Sequence, residues 1–188
     1  MEQTETVAAA ITALIAADQP EPAWRLWTAL EAARLLQYGV QPLVNPDFQV
    51  PLRPPAFDWR IPVVPGVETL RGVPDKGIKF TFSGNQPETA ELLAQELYLR
   101  GSSGWQLTFE YEIRGVTQAK TGIRWKLSGA DAVQELALTE EWRSATVAWQ
   151  VPPGLHRLSL EIARVNGQPR VEGELRLRGL RWKAGGAQ

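Results

Sequence analysis

The chain has 188 residues, of which 44% are hydrophobic and 22% charged, and a net charge of -1; this suits one globular domain, or one domain with a small appendage. With no cysteine and a single histidine, His156, disulfides, thiol catalysis, cysteine-rich metal sites and any centre needing two histidines are excluded. A net charge this close to zero supplies no overall field to draw in nucleic acid.

Two helices are predicted first. Val7, Ala10, Ile11, Leu14 and Ile15 recur at three and four residues, which places them on one helical face over about Thr6 to Ala17. That apolar stretch is too short to span a membrane and follows Glu2 and Glu5 rather than the basic start of a secretory signal. Pro20 and Pro22 separate it from a second helix over about Pro22 to Gln37, with Gly39 as its C-cap. Trp24, Leu26, Trp27 and Leu30 give that helix a wide apolar surface. Such a hairpin is too small to be stable alone. It is expected to pack on the following domain, on upstream repeats or on another subunit.

From Val44 the period changes to two. Phe57, Trp59 and Ile61 alternate with polar residues, and so do Ile78, Phe80 and Phe82. The run Glu91–Arg100 carries Leu93, Gln95, Leu97 and Leu99 in phase. Trp105–Arg114 is the clearest strand, with Trp105, Leu107, Phe109, Tyr111 and Ile113 on one face and Gln106, Thr108, Glu110, Glu112 and Arg114 on the other. Further strands are predicted at Ile123–Leu127, Val133–Leu138, Ala145–Val151 and Leu158–Ile162, and a last one at Val171–Trp182 with a bulge at Gly179. Asn166-Gly167 reads as a hairpin turn between the final two. Each strand has one apolar and one polar face. The expected fold is therefore mainly β: a two-sheet antiparallel jelly-roll β-sandwich with an N-terminal helical hairpin. An immunoglobulin-like sandwich is the alternative, since strand number does not set topology. The domain boundaries read as 1–43 for the hairpin, 44–183 for the sandwich and 184–188 for a flexible tail.

Little in the sequence points to catalysis. His156 sits at a loop-to-strand junction and reads as a surface or turn residue. Ser102-Ser103 lies in a turn, and no nucleophile-elbow, zinc-protease or phosphate-loop motif is present. Glu110 and Glu112 share an outward face and could flank a sugar, although a solvated sheet face explains them as well. Sugar binding needs a flat ring and nearby hydrogen-bonding groups. Most aromatic residues are in phase with the core, which leaves Tyr98 and Trp142 as the exposed candidates, the latter beside Glu140 and Glu141. Arg124 and Lys126 flank Trp125 and either meet an acidic ligand or pair with Glu110 and Glu112 across neighbouring strands. Between Arg164 and Lys183 the bases Arg164, Arg170, Arg176, Arg178, Arg181 and Lys183 face only Glu172 and Glu174, a weak nucleic-acid signal without a stacking strip. Asp47 and Asp75 have no spacing that supports a metal, and no cofactor is expected.

The order of several short motifs resembles a known arrangement. Asn45-Pro46-Asp47-Phe48 is followed by Phe57-Asp58-Trp59, a Gly-led strand from Gly77 to Gly84, and Gln95-Glu96-Leu97-Tyr98-Leu99 leading to Gly104-Trp105. Gly122-Ile123-Arg124-Trp125-Lys126-Leu127 comes next, then Gly173 to Leu177. Over about residues 44–183 this resembles the carbohydrate-binding-module-like, galactose-binding-like jelly rolls at the C-terminus of bacterial tetratricopeptide-repeat proteins. Arg178-Gly179-Leu180 stands where many sugar-binding members carry Asp-Asn or Asp-Asp. The resemblance implies a non-catalytic binding module for a glycan, in a bacterial cell-envelope or polysaccharide-export system, with the periplasm or cell envelope as its place. A structural protein–protein interaction module without a sugar ligand is the alternative, and a glycan-acting enzyme a third. The hairpin then resembles the end of a helical repeat array.

Overall fold

A computed structural model describes residues 2–32, 41–52, 56–73, 77–101, 104–117 and 120–185. Helix α1 (Glu2–Ala16) and helix α2 (Pro20–Ala32) form the hairpin. Asp18 takes a left-handed backbone conformation (φ 55°), which ends the first helix and lets the chain reverse within one turn. The expected continuation of the second helix to Gln37 and Gly39 lies outside the described residues.

Nine strands follow among the described residues: β1 (Val67–Val73), β2 (Gly77–Ser83), β3 (Thr89–Leu99), β4 (Gly104–Arg114), β5 (Ile123–Leu127), β6 (Val133–Glu135), β7 (Arg143–Gln150), β8 (Gly154–Ala163) and β9 (Glu172–Ala184). They make two antiparallel sheets, a five-stranded sheet in the order β1-β2-β9-β4-β7 and a four-stranded sheet in the order β3-β8-β5-β6. Of the eight links between successive strands, β1–β2 and β5–β6 stay within a sheet and the other six cross between sheets. That winding is a jelly roll, and each sheet buries its apolar face against the other.

The shared core holds Phe80, Phe109, Trp125 and Trp149 with a large set of Leu and Ile side chains. At one end Trp182 stacks between Trp105 and Trp149, with centroids 5.9 and 5.8 Å apart. Gly179 makes this stack possible. Opposite Thr108 to Glu110 of β4, β9 runs from Arg181 to Arg178, one residue more than its partner. Gly179 takes φ 63°, so the extra residue is absorbed as a bulge and the side-chain phase reverses. Leu180 and Trp182 thereby turn inward, as the sequence predicts.

Three sequence expectations are corrected here. Phe57–Ile61 is not a strand of either sheet; only Arg60 forms a bridge, to Ala94. The alternation arises because Phe57 enters a second apolar cluster with Trp24 and Trp27, while Trp59 enters the sandwich core. The Asn166-Gly167 turn, closed by a hydrogen bond from Gln168 N to Val165 O, joins β8 to β9 in opposite sheets and is no hairpin. At the C-terminus, β9 continues through Ala184 and Gly185 N donates to Gly104 O, so 184–185 belong to the sheet end; residues 186–188 lie outside the described residues.

The second cluster joins the hairpin to the outer face of the four-stranded sheet. Ile11, Trp24, Trp27 and Leu30 pack with Val44 and Phe57, and against Tyr98 and Leu155, which oppose each other on β3 and β8. Asn45 shapes the intervening segment. It sits at φ 50°, its amide nitrogen donates to Val50 O, and Val50 N donates to its amide oxygen. Beside it, the fully buried Gln95 side chain bonds both N and O of Val44, standing in for a missing strand partner at the edge of β3.

Candidate functional site

The outer face of the five-stranded sheet is where charged side chains converge with an aromatic ring, Trp142. The register aligns Lys79 of β2 with Arg176 of β9, and Arg176 with Glu112 of β4. One row on, Arg178 lies between Gly77 and Glu110. The central position of β9 therefore brings residues from the end of the chain against residues from its middle. Arg178 Nε donates to Glu110 Oε2 at 2.9 Å, and the Arg178 guanidinium lies 3.8 Å from the Trp142 ring centroid. A cation held over an indole face is attracted by the ring quadrupole. Trp142 is thus fixed in orientation and still partly exposed.

Glu112 is fully buried on this face, 2.9 Å from Arg114 Nη2 and 3.2 Å from Arg176 Nη1. Glu174 bonds Lys79 Nζ at 3.1 Å and lies 3.4 Å from Arg176. The Lys79 hydrogen bond, partly opposed by burial, holds the Glu174 carboxyl below its ordinary range. Glu110, Glu112 and Glu174 are therefore committed to cations.

The six candidate residues of the sequence do not meet at one place. Trp142, with Glu140 and Glu141 exposed beside it, belongs to the connection from β6 to β7, and Thr139 O accepts from Ile113 N to seat that segment along β4. Tyr98 is not an exposed ring: it is half-buried under the hairpin, 6.2 Å from the Trp24 ring. Arg124 and Lys126 lie on the outer face of the four-stranded sheet, each 3.6 Å from Glu161. Their expected pairing with Glu110 and Glu112 fails because β4 and β5 are in different sheets. Arg157 dominates the same face, with Glu91 at 2.6 Å and Glu96 at 2.6 Å. Hydrogen bonding to Glu91 raises its proton affinity against the opposing effect of burial.

His156 is buried rather than a surface turn residue. Its Nδ1 lies 2.8 Å from Ser128 O and its Nε2 2.8 Å from Pro152 O, so it ties two connections together. Ser102-Ser103 and Asp75 lie outside the described residues. Asp47 is exposed, and among the described residues no group of three His, Cys, Asp or Glu side chains could hold a metal ion. No described helix is long and apolar enough to cross a membrane.

A cleft of about 250 Å³ opens where β6 and β7 face each other without pairing, lined by Tyr111, Gln134, Glu135, Arg143, Ser144 and Thr146 among others. It is smaller than the roughly 300–1,000 Å³ of dedicated small-molecule pockets. The outer face of the five-stranded sheet, with Trp142, is the other candidate surface. Sequence reasoning identified Trp142 and the outward phase of Glu110, but not that Arg178 brings the two together. Alternation reveals a residue's face and says nothing of its neighbouring strand.

No protein-family model matches the chain, and no curated protein does. Solved structures do share its fold. A CBM4 structure aligns with a TM-score of 0.56 at 14% identity, over 76% of this chain and 99% of its own. TmCBM61 in complex with beta-1,4-galactotriose gives 0.44 at 14% identity, over 68% and 88%. The EclA C-terminal domain, a sugar-binding protein, gives 0.45 at 18% identity, over 61% and 81%. At these identities the likeness is one of fold, and the chain has a jelly-roll β-sandwich similar to that of the CBM4 structure.

Proposed function

We propose that the chain is a non-catalytic glycan-binding module that holds sugar on the outer face of its five-stranded sheet, in a bacterial cell-envelope or polysaccharide-export setting. The observation that carries this reading is Trp142, fixed by Arg178, itself bonded to Glu110, and still partly exposed. A ring locked before the ligand arrives loses little freedom on stacking against a pyranose. The fold shared with the CBM4 structure supports the reading. So does the state of the carboxylates. Glycoside hydrolysis needs one acid that can donate a proton and a second free carboxylate about 5–10 Å away, whereas Glu110 and Glu112 are held by Arg side chains.

A glycan array followed by calorimetry on the best ligand tests this. Wild type is expected to bind at least one glycan, and Trp142→Ala to weaken it about tenfold or more, the loss of roughly 1.4 kcal/mol or more, with little change in melting temperature. An array with no bound glycan would reject the reading.

A further inference from the structure

The outer face of the five-stranded sheet changes character along β9. At one end its carboxylates and cations neutralise one another: Glu174 with Lys79 and Arg176, Glu112 with Arg114 and Arg176, Glu110 with Arg178. Beyond Gly179 that balance stops. Strict alternation from Arg178 would have turned Leu180 and Trp182 outward and Arg181 and Lys183 inward. The bulge reverses this, so Leu180 and Trp182 enter the core and Arg181 and Lys183 are exposed on the face that carries Arg178.

Neither Arg181 nor Lys183 has an ion-pair partner among the described residues. The register sets Arg181 opposite Thr108 and Lys183 opposite Gln106, with Thr108 in turn opposite Thr146 of β7. The side chains of Gln106, Thr108 and Thr146 have no hydrogen-bond partner among the described residues either. Two adjacent cations without a counter-charge repel each other, and an oxyanion between them relieves both. A guanidinium gives such a group a bidentate fork and an ammonium a point charge. The neighbouring amide and hydroxyls are of the kind that bond sugar hydroxyls.

We infer that this end of the face is an anion subsite and that the glycan held beside Trp142 is acidic, carrying a carboxylate or sulfate that meets Arg181 and Lys183. The inference rests on the glycan-binding reading above and adds the ligand's charge. Trp142 is the one aromatic ring on this face among the described residues. A single ring suits one sugar better than a run of stacked bases, which calls for successive aromatic platforms.

Calorimetry with an oligogalacturonate, a carrageenan oligosaccharide that carries sulfate and no carboxylate, a neutral β-1,4-glucan oligosaccharide and single-stranded DNA tests it, using wild type, Trp142→Ala and the double variant Arg181→Gln/Lys183→Gln. Both substituted positions are exposed, so the double variant is expected to fold normally. The expected result is preference for an acidic over the neutral oligosaccharide by about tenfold or more, weakening as salt is raised and abolished in the double variant. The uronate and sulfate arms tell which oxyanion is preferred. Equal binding of acidic and neutral sugars, or a double variant that binds as wild type does, overturns the acidic subsite and leaves the glycan module standing. Silence with every sugar removes both readings. DNA bound as tightly as the best sugar, through Arg181 and Lys183, overturns the assignment to a glycan.

Discussion

A carboxylate on the outer face of a sheet is ordinarily hydrated, yet Glu112 is fully buried because Arg114 and Arg176 close over it. Glu174, one row away, is 30% exposed and joins Lys79 to the same network. Its carboxyl lies below the ordinary range, so the unfolded chain binds that proton more tightly than the folded one. The stability it contributes is thus complete above the ordinary carboxylate range and is lost as pH falls through the lowered folded value. For a partly exposed pair the size is about 0.2–1 kcal/mol. Glu174→Gln is expected to lower the urea midpoint slightly at about pH 7 and to make the acid limb of the stability curve shallower. A deficit of the same size at about pH 3 would contradict the linkage. The alternation of the β4 sequence shows that Glu112 faces outward. Its burial is not legible there, because the covering arginine Arg176 lies 64 positions later.

At the scale of elements, Phe57 is a buried ring in the cluster that joins the hairpin to the sandwich, beside Val44, Tyr98 and Leu155. Phe57 is edge-on to Trp24 at 5.0 Å and lies 5.9 Å from Trp27, with no exposed surface of its own. Phe57→Ala is expected to cost about 3–5 kcal/mol, the usual range for truncating a buried aromatic residue. The loss should appear as faster hydrogen exchange in α1 and α2 while β4 and β9 keep their protection. Uniform loosening of all four would show that the two clusters form one cooperative unit. The elements differed in how readable they were. The strand predicted at Trp105–Arg114 is β4, Gly104–Arg114, because ten residues of strict alternation leave no helical reading. Strand β1 was not predicted. The positions paired with Phe82, Phe80 and Ile78 are Val67, Thr69 and Arg71; they are mixed in polarity because an edge strand buries little of its surface, and Arg71 is exposed. The reverse error at Phe57–Ile61 came from a segment that supplies two cores in turn.

For the whole molecule the winding is the decisive property. Six links carry the chain from one sheet to the other, so neighbouring strands are mostly distant in sequence, β2 with β9 and β3 with β8 among them. Ordering long loops before their contacts form slows folding. Refolding followed by tryptophan fluorescence in a stopped-flow instrument is expected on a timescale of about milliseconds to seconds; microsecond refolding would contradict it. By itself the sequence determined the helical hairpin, most of the strands, the outward or inward phase of their side chains and the reversal of phase at Gly179. These follow from local sterics: 3.6 residues per turn of helix, two per repeat of strand, and a left-handed conformation that glycine adopts freely. Only the tertiary structure decided that Tyr98 lies beneath the hairpin, that Arg124 and Lys126 face Glu161, and that Arg178 stands between Glu110 and Trp142. Which strands become neighbours is settled by the packing of two whole sheets, and that information is distributed along the chain rather than carried by any one segment.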